Sequence, residues 1–218
     1  MIIFVIVGAA RMASRPQRQS SIPHNAMLSN NKTQTNSLKH PTPTLRAAAA
    51  GDAQKLAEIV HLAYRGGLSP VAWKNENHLV SGPRATAEDI DQILESADKI
   101  ILIAEILKAD QADVVGCVQI EDYGQGEAHI GLLTVRPDCQ NLGLGKLLVQ
   151  AAEEYARQHW QSKTATMSVL YNRAELLDWY LRLGYALTGE TAPFVGVGTG
   201  LTTHFENPHF VVISKDIG

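Results

Sequence analysis

The sequence predicts one folded domain of the α/β (α+β) class. Short apolar runs, several of them rich in β-branched residues, alternate with segments whose apolar residues recur at helical spacing. Both kinds of segment end at Gly, Pro or helix-capping residues. The 218 residues have an ordinary apolar content, which is enough for one sizeable core. These patterns predict seven strands and four helices in the order β-α-α-β-β-β-α-β-α-β-β.

Three strands and two helices are predicted before residue 121. The first helix opens at Gly51 and Asp52, with Asp52 as its N-cap, and it ends at Gly66. Thr86 is the predicted cap of the second helix. The three strands are predicted at residues 44–48, 99–106 and 113–120.

The second half is predicted to contain four strands and two helices. A Gly-rich turn at residues 123–126 precedes a strand at residues 127–135. The central helix is predicted over residues 145–160. Asn172 with Glu175 resembles a capping box that opens the last helix, and Gly184 follows its end. The remaining strands are predicted at residues 164–170, 185–188 and 209–214.

A glycine loop before the central helix is the most informative segment. Pro137 ends the preceding strand, and Gln140, Gly143 and Gly145 follow with the spacing Gln-x-x-Gly-x-Gly. Such a turn builds a nest of backbone N–H groups at a helix N-terminus, where a phosphate or pyrophosphate binds. Glycine lets that ligand approach the backbone closely. The alternative is a tight strand-to-helix turn in which glycine serves geometry alone.

Two common nucleotide-binding patterns do not fit this loop. A Rossmann fingerprint needs a third glycine at the position that Leu148 occupies. A P-loop needs Ser or Thr after Gly-Lys, and Leu147 stands there instead. Gln140 also stands where the first glycine of a P-loop would be. The loop therefore predicts a phosphate-binding turn of another kind.

Two segments together resemble the acyl-CoA-binding region of the GNAT acetyltransferase superfamily. The first is Val135-Arg136-Pro137 followed by residues 140–145, which is similar to the motif Gln/Arg-x-x-Gly-x-Gly/Ala. The second is residues 172–185, in which an Asn opens a helix that ends in Tyr-x-x-x-Gly-Tyr. The resemblance covers roughly residues 44–215 and is specific from about residue 114 to residue 190.

The resemblance implies a mixed, mostly antiparallel central sheet of about seven strands flanked by about four helices. It also implies acetyl-CoA as the acyl donor. The strand before the loop would offer backbone groups to the pantetheine arm, one of its N–H groups facing the thioester oxygen; its residues are Leu133, Thr134 and Val135. The loop would hold the pyrophosphate with help from the helix dipole; its residues are Gln140, Asn141, Leu142, Gly143, Leu144, Gly145 and Lys146.

The resemblance also assigns roles to two residues of the last helix. Tyr180 matches the family's proton donor to the departing thiolate. Because Tyr180 also falls on the apolar face of its helix, a core tyrosine is the alternative. Asn172 matches a position that contacts CoA, and an N-cap role is compatible with that contact.

The proton acceptor and the acceptor pocket are less determined. Glu121 is the first candidate for the general base, although many family members reach the acceptor nitrogen through water. The other candidates are Glu76, Glu127 and His129. Trp73 and Phe194 are expected to line the acceptor pocket or to pack in the core. The glycine run at residues 196–200 is expected to be a mobile loop near that pocket.

The predicted function is transfer of an acetyl group from acetyl-CoA to a primary amine of a small molecule, by direct attack in a ternary complex. One alternative is a catalytically idle acyl-CoA-binding or sensing module. Another is an N-acetyltransferase of peptides or proteins. The assembly is expected to be a monomer or a homodimer, with neither nucleic acid nor membrane as partner.

The charge distribution sets the N-terminal segment apart. Residues 1–44 contain five basic and no acidic residues, which gives this segment a charge of +5. Because the net charge of the whole chain is −3, the remaining residues carry −8. An acidic body argues against nucleic acid and mildly favours cationic acceptors, with a solvated acidic surface as the alternative explanation. Residues 1–43 are expected to be a disordered extension, with a transit peptide or a later start at Met12 or Met27 as alternatives. The expected location is the cytoplasm, with organellar targeting by this extension as the alternative.

The cysteines and histidines indicate neither a disulfide framework nor a metal site. Cys117 lies in a strand and is expected to be a buried hydrophobe. Cys139 lies in the phosphate loop and is expected to be exposed, without a catalytic role. The histidines lack metal-ligand spacing, so no metal ligand is predicted.

Overall fold

The computed structural model describes residues 42–65, 79–82, 84–194 and 202–218. The predicted order of seven strands and four helices is confirmed, and two further two-residue strands pair with each other. The strands are β1 Thr44–Ala47, β2 Val80–Ser81, β3 Lys99–Lys108, β4 Gln111–Gly124, β5 Glu127–Val135, β6 Thr164–Leu170, β7 Ala186–Pro193, β8 Thr202–Thr203 and β9 His209–Asp216. The helices are α1 Ala53–Arg65, α2 Ala87–Leu94, α3 Leu144–Trp160 and α4 Ala174–Arg182.

Seven strands form one sheet in the order β1-β3-β4-β5-β6-β9-β7. All neighbours are antiparallel except β5 and β6, which are parallel. The predicted mixed, mostly antiparallel sheet with four helices is therefore confirmed. Within the described strands, β5 and β6 pair only from Glu127–Thr164 to His129–Thr166. Beyond that point the two strands part, and the far half of β5 has an open edge.

The sheet has an apolar core on each face. One core packs α3 and α4 against residues such as Val118, Ile130 and Met167. The other face packs α1 and α2 against Ile101, Ile103 and neighbouring residues. A third cluster lies at the far end of this second face, around Leu79, Leu170 and Phe210. Helices therefore cover both faces, and the gap between β5 and β6 lies between the two layers.

Two predicted helix caps are confirmed. The Thr86 hydroxyl accepts the Asp89 N–H at 3.1 Å, and the Asp89 carboxylate accepts the Thr86 N–H at 2.9 Å. This reciprocal pair satisfies two donors at the start of α2. Gly184 follows α4 with a φ of 94°, a left-handed conformation that glycine adopts at little cost.

Two other predicted caps are wrong. Asp52 belongs to a 3₁₀ turn, where its carboxylate accepts the Ala49 N–H at 2.8 Å and binds Arg46 at 2.6 Å. Asn172 does not cap α4, since Arg173 is the N-cap residue. Glu175 accepts from the Arg173 Nε at 2.9 Å rather than closing a capping box.

Several expectations fall outside the described residues. They concern residues 1–41 of the predicted extension, Trp73 and Glu76, and the glycine run at residues 196–200. In the described part of the chain, no helix has the length and apolar character to cross a membrane. Over the same residues, no cluster of three or more His, Cys, Asp or Glu side chains could hold a metal ion.

Candidate active site

A cavity of about 400 Å³ lies where β5 and β6 part. Its walls come from the end of α1, the open edge of β5, the glycine loop with the first turn of α3, and α4. The lining residues are Ala63, Tyr64, Leu133, Thr134, Val135, Gln140, Asn141, Gly143, Leu144, Gly145, Lys146, Arg173, Leu176, Trp179 and Tyr180. Segments distant in sequence thus meet where these two strands part.

The open edge of β5 presents backbone groups to this cavity. Thr134 pairs with Cys117 of β4, and the Arg136 N–H donates to the Val115 carbonyl at 2.8 Å. Backbone groups of successive residues in a strand alternate between its two edges. Leu133 and Val135 therefore direct their N–H and C=O groups away from β4, toward the cavity.

A β-bulge at Leu132 fixes the direction of one of these N–H groups. Cys117 and Gln119 are two residues apart on β4, whereas their partners on β5, Thr134 and Gly131, are three residues apart. Leu132, which lies between these partners, has a φ of 47°. The Leu132 carbonyl accepts from the Thr134 hydroxyl at 3.0 Å and from the Cys117 thiol at 3.9 Å. Since a trans peptide directs C=O and N–H oppositely, the Leu133 N–H faces the cavity.

Side chains bind both carbonyls of the open edge. The Tyr64 hydroxyl donates to the Leu133 carbonyl at 3.0 Å, and the Gln140 Nε2 donates to the Val135 carbonyl at 3.2 Å. Burial raises the pKa of Cys117 to about 12, so its thiol keeps the proton that it donates. The β5 edge therefore offers donors to a ligand.

The glycine loop places further donors at the opposite wall. Asn141 and Gly143 have φ values of 64° and 80°, which turn the chain into α3. The first rung of the helix is the bond from the Leu147 N–H to the Gly143 carbonyl at 3.0 Å. The N–H groups of residues 143–146 consequently have no acceptor within the helix, and they lie at its positive end.

Ion pairs and close packing hold the loop in place. Arg136 binds Asp113 of β4 at 2.7 Å and Asp138 of the loop at 2.6 Å. A Cβ on Gly145 would lie 3.4 Å from the Trp179 ring, so α3 and α4 approach closely there. Cys139 is buried, contrary to its predicted exposure, and burial raises its thiol pKa above the usual range.

Tyr180 lines the cavity from α4 and is also part of the core. Its ring packs edge-on against Trp179 at 4.9 Å and Tyr185 at 6.0 Å between centroids. The side chain is buried, and it belongs to the cluster under α3 and α4. The core and site interpretations of Tyr180 are thus compatible.

Three predicted site residues lie outside the cavity lining. Leu142 is at the tip of the loop and is half exposed. The Oδ1 atom of Asn172 is buried and has no hydrogen-bond partner among the described residues. Glu121 lies on β4, where its carboxylate is 3.4 Å from the Lys99 ammonium. The roles predicted for these three residues remain predictions.

A family model described as the acetyltransferase (GNAT) family matches residues 69–185, which is more than half of the chain. This chain belongs to the GNAT acetyltransferase family. The resemblance inferred from the two motifs is therefore confirmed. No curated protein matches the chain in sequence.

Solved GNAT structures share the fold at low identity. The yncA protein of Salmonella typhimurium, solved with its cofactor acetyl-CoA, is 18% identical with a TM-score of 0.57 over 81% of this chain and 95% of that one. The ribosomal-protein-S18-alanine N-acetyltransferase from Escherichia coli is 13% identical, with a TM-score of 0.59 over 81% and 95%. A spermidine N-acetyltransferase SpeG chimera from Vibrio cholerae and hSSAT is 14% identical, with a TM-score of 0.58 over 80% and 95%.

The GNAT cavity also contains residues to which the sequence analysis assigned no role in the site: Ala63, Tyr64, Arg173, Leu176 and Trp179. Tyr64 lies 69 residues before the carbonyl that it binds, so no local pattern links the two. Arg173 and Leu176 fall inside the second motif segment, and only the fold shows that they face the cavity.

Proposed function

We propose that this GNAT protein transfers an acetyl group from acetyl-CoA to a primary amine of a small molecule by direct attack in a ternary complex. One observation carries the proposal. A single cavity joins the N–H groups that begin α3, the open β5 edge and Tyr180. An acyl-CoA transferase needs groups that bind the phosphate anion, groups that stabilise the developing oxyanion and a group that protonates the leaving thiolate. These three parts of the cavity can supply them in that order.

The residues present fit an acyl-CoA in chemical character. The N–H groups of residues 143–146 suit a pyrophosphate, and Lys146 adds a positive charge at the cavity wall. Gln140 and Asn141 also line this end. The buried and unpartnered Oδ1 of Asn172 suits an amide N–H of the pantetheine arm. The backbone groups of Leu133 and Val135 suit hydrogen bonds to the same arm, as those of one strand pair with a neighbouring strand.

Acetyl transfer to an amine needs three groups from the protein. The amine must lose a proton, and Glu121 on β4 is our candidate acceptor, directly or through water. The Leu133 N–H would stabilise the negative charge on the thioester oxygen. As the new C–N bond forms and the C–S bond breaks, the Tyr180 hydroxyl would give a proton to the departing thiolate.

A cationic small-molecule amine suits the charge of the folded domain. Residues after 44 carry a net charge of −8, which favours the approach of positively charged acceptors. A spermidine acetyltransferase is among the solved structures that share the fold. A ribosomal-protein acetyltransferase shares it equally, so a peptide acceptor belongs in the test.

Thiol release from acetyl-CoA, measured over monoamines, polyamines, amino acids, aminoglycosides and peptides, tests the proposal. We expect turnover on at least one small amine. Replacing Tyr180→Phe should lower kcat by roughly one to two orders of magnitude, because general acid catalysis contributes factors of that size or more. The matched control is Tyr155→Phe, a buried tyrosine of the same core outside the cavity lining.

One outcome would contradict the proposal, and a second would contradict only the role of Tyr180. Tight binding of acetyl-CoA without turnover on any member of the panel would indicate a sensing module. An unchanged kcat in Tyr180→Phe would remove Tyr180 from the mechanism while leaving the acetyltransferase activity in place.

A further inference from the structure

Six polar side chains form a strip on the sheet face that α1 and α2 cover, and no member of it lines the cavity already described. Their sequence neighbours on the same strands, such as Ile120, Ile130 and Met167, lie in the core of the opposite face. The strip separates the α1–α2 core from the cluster around Leu170. Its members, called the polar strip below, are Gln119, Glu121, Glu127, His129, Thr166 and Ser168.

Two oxygens of the polar strip are buried and unsatisfied. The Oε1 of Gln119 and the Oγ of Ser168 have no hydrogen-bond partner among the described residues. Gln119 is only 2% exposed. A buried polar atom without a partner costs about 1 to 3 kcal/mol, so each such atom in a folded protein needs an explanation.

The two oxygens belong to β4 and β6, the strands that flank Gly131 of β5. Gln119 is the direct partner of Gly131 in the β4–β5 ladder. On β6, Ser168 lies two residues beyond Thr166, the last residue that pairs with β5, so it stands where the two strands have begun to part. Gly131 has no side chain to fill the space. The cavity-lining Leu133 follows two residues further along β5.

We propose that Gln119 Oε1 and Ser168 Oγ bind the N–H groups of the acceptor's primary amine above Gly131, an inference that rests on the proposed acetyl transfer. Both atoms accept hydrogen bonds, and an amine supplies the donors that they lack. An amine held there would border the cavity at Leu133, whose N–H faces the position expected for the thioester oxygen.

The two groups that would bind the nitrogen carry no charge, which favours the free amine over the ammonium form. Gln119 and Ser168 are neutral, and burial lowers the pKa of His129 to about 4, so the imidazole is neutral as well. The charged groups of the strip itself are Glu121, which pairs with Lys99, and Glu127, which accepts a hydrogen bond from the Thr166 hydroxyl. Neutral, buried ligands lower the pKa of an amine. The bound nitrogen would therefore lose its proton more readily before it attacks the thioester carbon.

Steady-state kinetics of two variants test the assignment, with the small amine that the wild-type protein acetylates fastest as the probe. Ser168→Ala removes one acceptor, and we expect KM for the amine to rise roughly tenfold while KM for acetyl-CoA is unchanged. Gln119→Glu places a carboxylate beside the amine and raises the amine pKa. The rising limb of kcat/KM against pH should then move to higher pH by about one pH unit or more.

Ser162→Ala is the matched control, because Ser162 is another buried serine with an unpartnered Oγ and it lies in the turn after α3. We expect its kinetic constants to equal those of the wild type. Wild-type constants in Ser168→Ala, together with an unshifted pH profile in Gln119→Glu, would overturn the inference while the proposed function stands. If Gln119→Glu does not fold, an unchanged amine KM in Ser168→Ala alone would overturn it. A wild-type protein that acetylates no amine would refute the proposed function, and this inference with it.

Discussion

The Thr134 hydroxyl illustrates how one side chain can direct a backbone donor. It holds the Leu132 carbonyl at 3.0 Å on the β4 side of the strand, and this keeps the Leu133 N–H toward the cavity. Tyr64 holds the next carbonyl at 3.0 Å. The sequence resemblance indicated the backbone of residues 133–135. The side chains that orient this backbone became visible only in the fold.

Replacing Thr134→Val removes this hydroxyl and nearly preserves the side-chain volume. We expect kcat to fall roughly tenfold, because a less well-oriented N–H stabilises the oxyanion less, and full loss of such a donor costs about 10²–10³. Binding of CoA, measured by calorimetry, should be unchanged. The control is Thr188→Val, since the Thr188 hydroxyl on β7 donates to the Val212 carbonyl on β9 at 3.0 Å, away from the site. Equal kcat values in both variants would contradict a role for the Leu132 clamp.

Local competition explains which capping residues the sequence predicted correctly. Thr86 caps α2 because its only strong local partner is Asp89, three residues later. Asp52 matches the same kind of pattern, but Arg46 and the Ala49 N–H bind its carboxylate within a tighter turn. A capping motif therefore predicts the region of a helix start better than the residue that caps it.

At the scale of elements, the close contact between β4, β5 and α3 depends on Gly116. A Cβ at this position would lie 2.7 Å from the Thr134 carbonyl oxygen and 3.0 Å from Leu148 Cδ1. The first contact involves backbone, so relief requires the two strands to separate. The hairpin that contains the bulge can pack against α3 in this way only with glycine at this position.

Gly116→Ala should therefore lower the free energy of unfolding by about 1 to 3 kcal/mol, as overpacking of a core does. Urea denaturation measures this change. Gly51→Ala is the control, because a Cβ on Gly51 would have no atom within 4 Å. A variant at Gly116 with the stability of the Gly51 variant would show that the β4–β5–α3 contact can yield without cost.

The predicted bounds of β5 and β6 match the structure, whereas β4 extends further than expected. Gly126 and Pro137 mark both ends of β5 sharply in the sequence. The β3–β4 ladder continues past the apolar run to Lys108 and Gln111, where polar side chains are exposed. Backbone pairing there extends beyond the apolar pattern, from which the bounds of the strand were predicted.

For the whole molecule, the partly buried imidazole of His129 links stability to acid. Its Nδ1 lies 3.3 Å from the Thr166 hydroxyl, and its ring stacks on Tyr123 at 5.2 Å. Burial lowers its pKa from 6.5 to about 4. Between these values the unfolded chain binds a proton that the folded chain does not. Its contribution to stability is therefore complete above pH 6.5 and is lost as the pH falls toward 4.

This linkage amounts to about 3 kcal/mol between pH 7 and pH 4. Urea denaturation of the wild type and of His129→Asn at both pH values measures it. We expect the wild type to lose more stability than the variant by about that amount. His159→Asn, which changes a histidine at the end of α3, is the control and should retain the wild-type loss. Equal losses in wild type and His129→Asn would refute the assignment.

The cavity shows which part of the site the sequence can and cannot predict. Apart from Leu142, the loop from Gln140 to Lys146 lines it as expected, and so does Tyr180, because contiguous motifs carry these residues. Tyr64 approaches from α1, and the polar strip arises from three strands in register. Contacts of this kind depend on the divergence of β5 and β6, which no single segment encodes.

A crystal structure of the protein with acetyl-CoA tests the central claim most directly. The pyrophosphate should accept hydrogen bonds from the N–H groups of residues 143–146, and the thioester oxygen should lie within hydrogen-bond distance of the Leu133 N–H. The sulfur should face Tyr180. Acetyl-CoA bound elsewhere, or bound here with its thioester directed away from β5, would contradict the account.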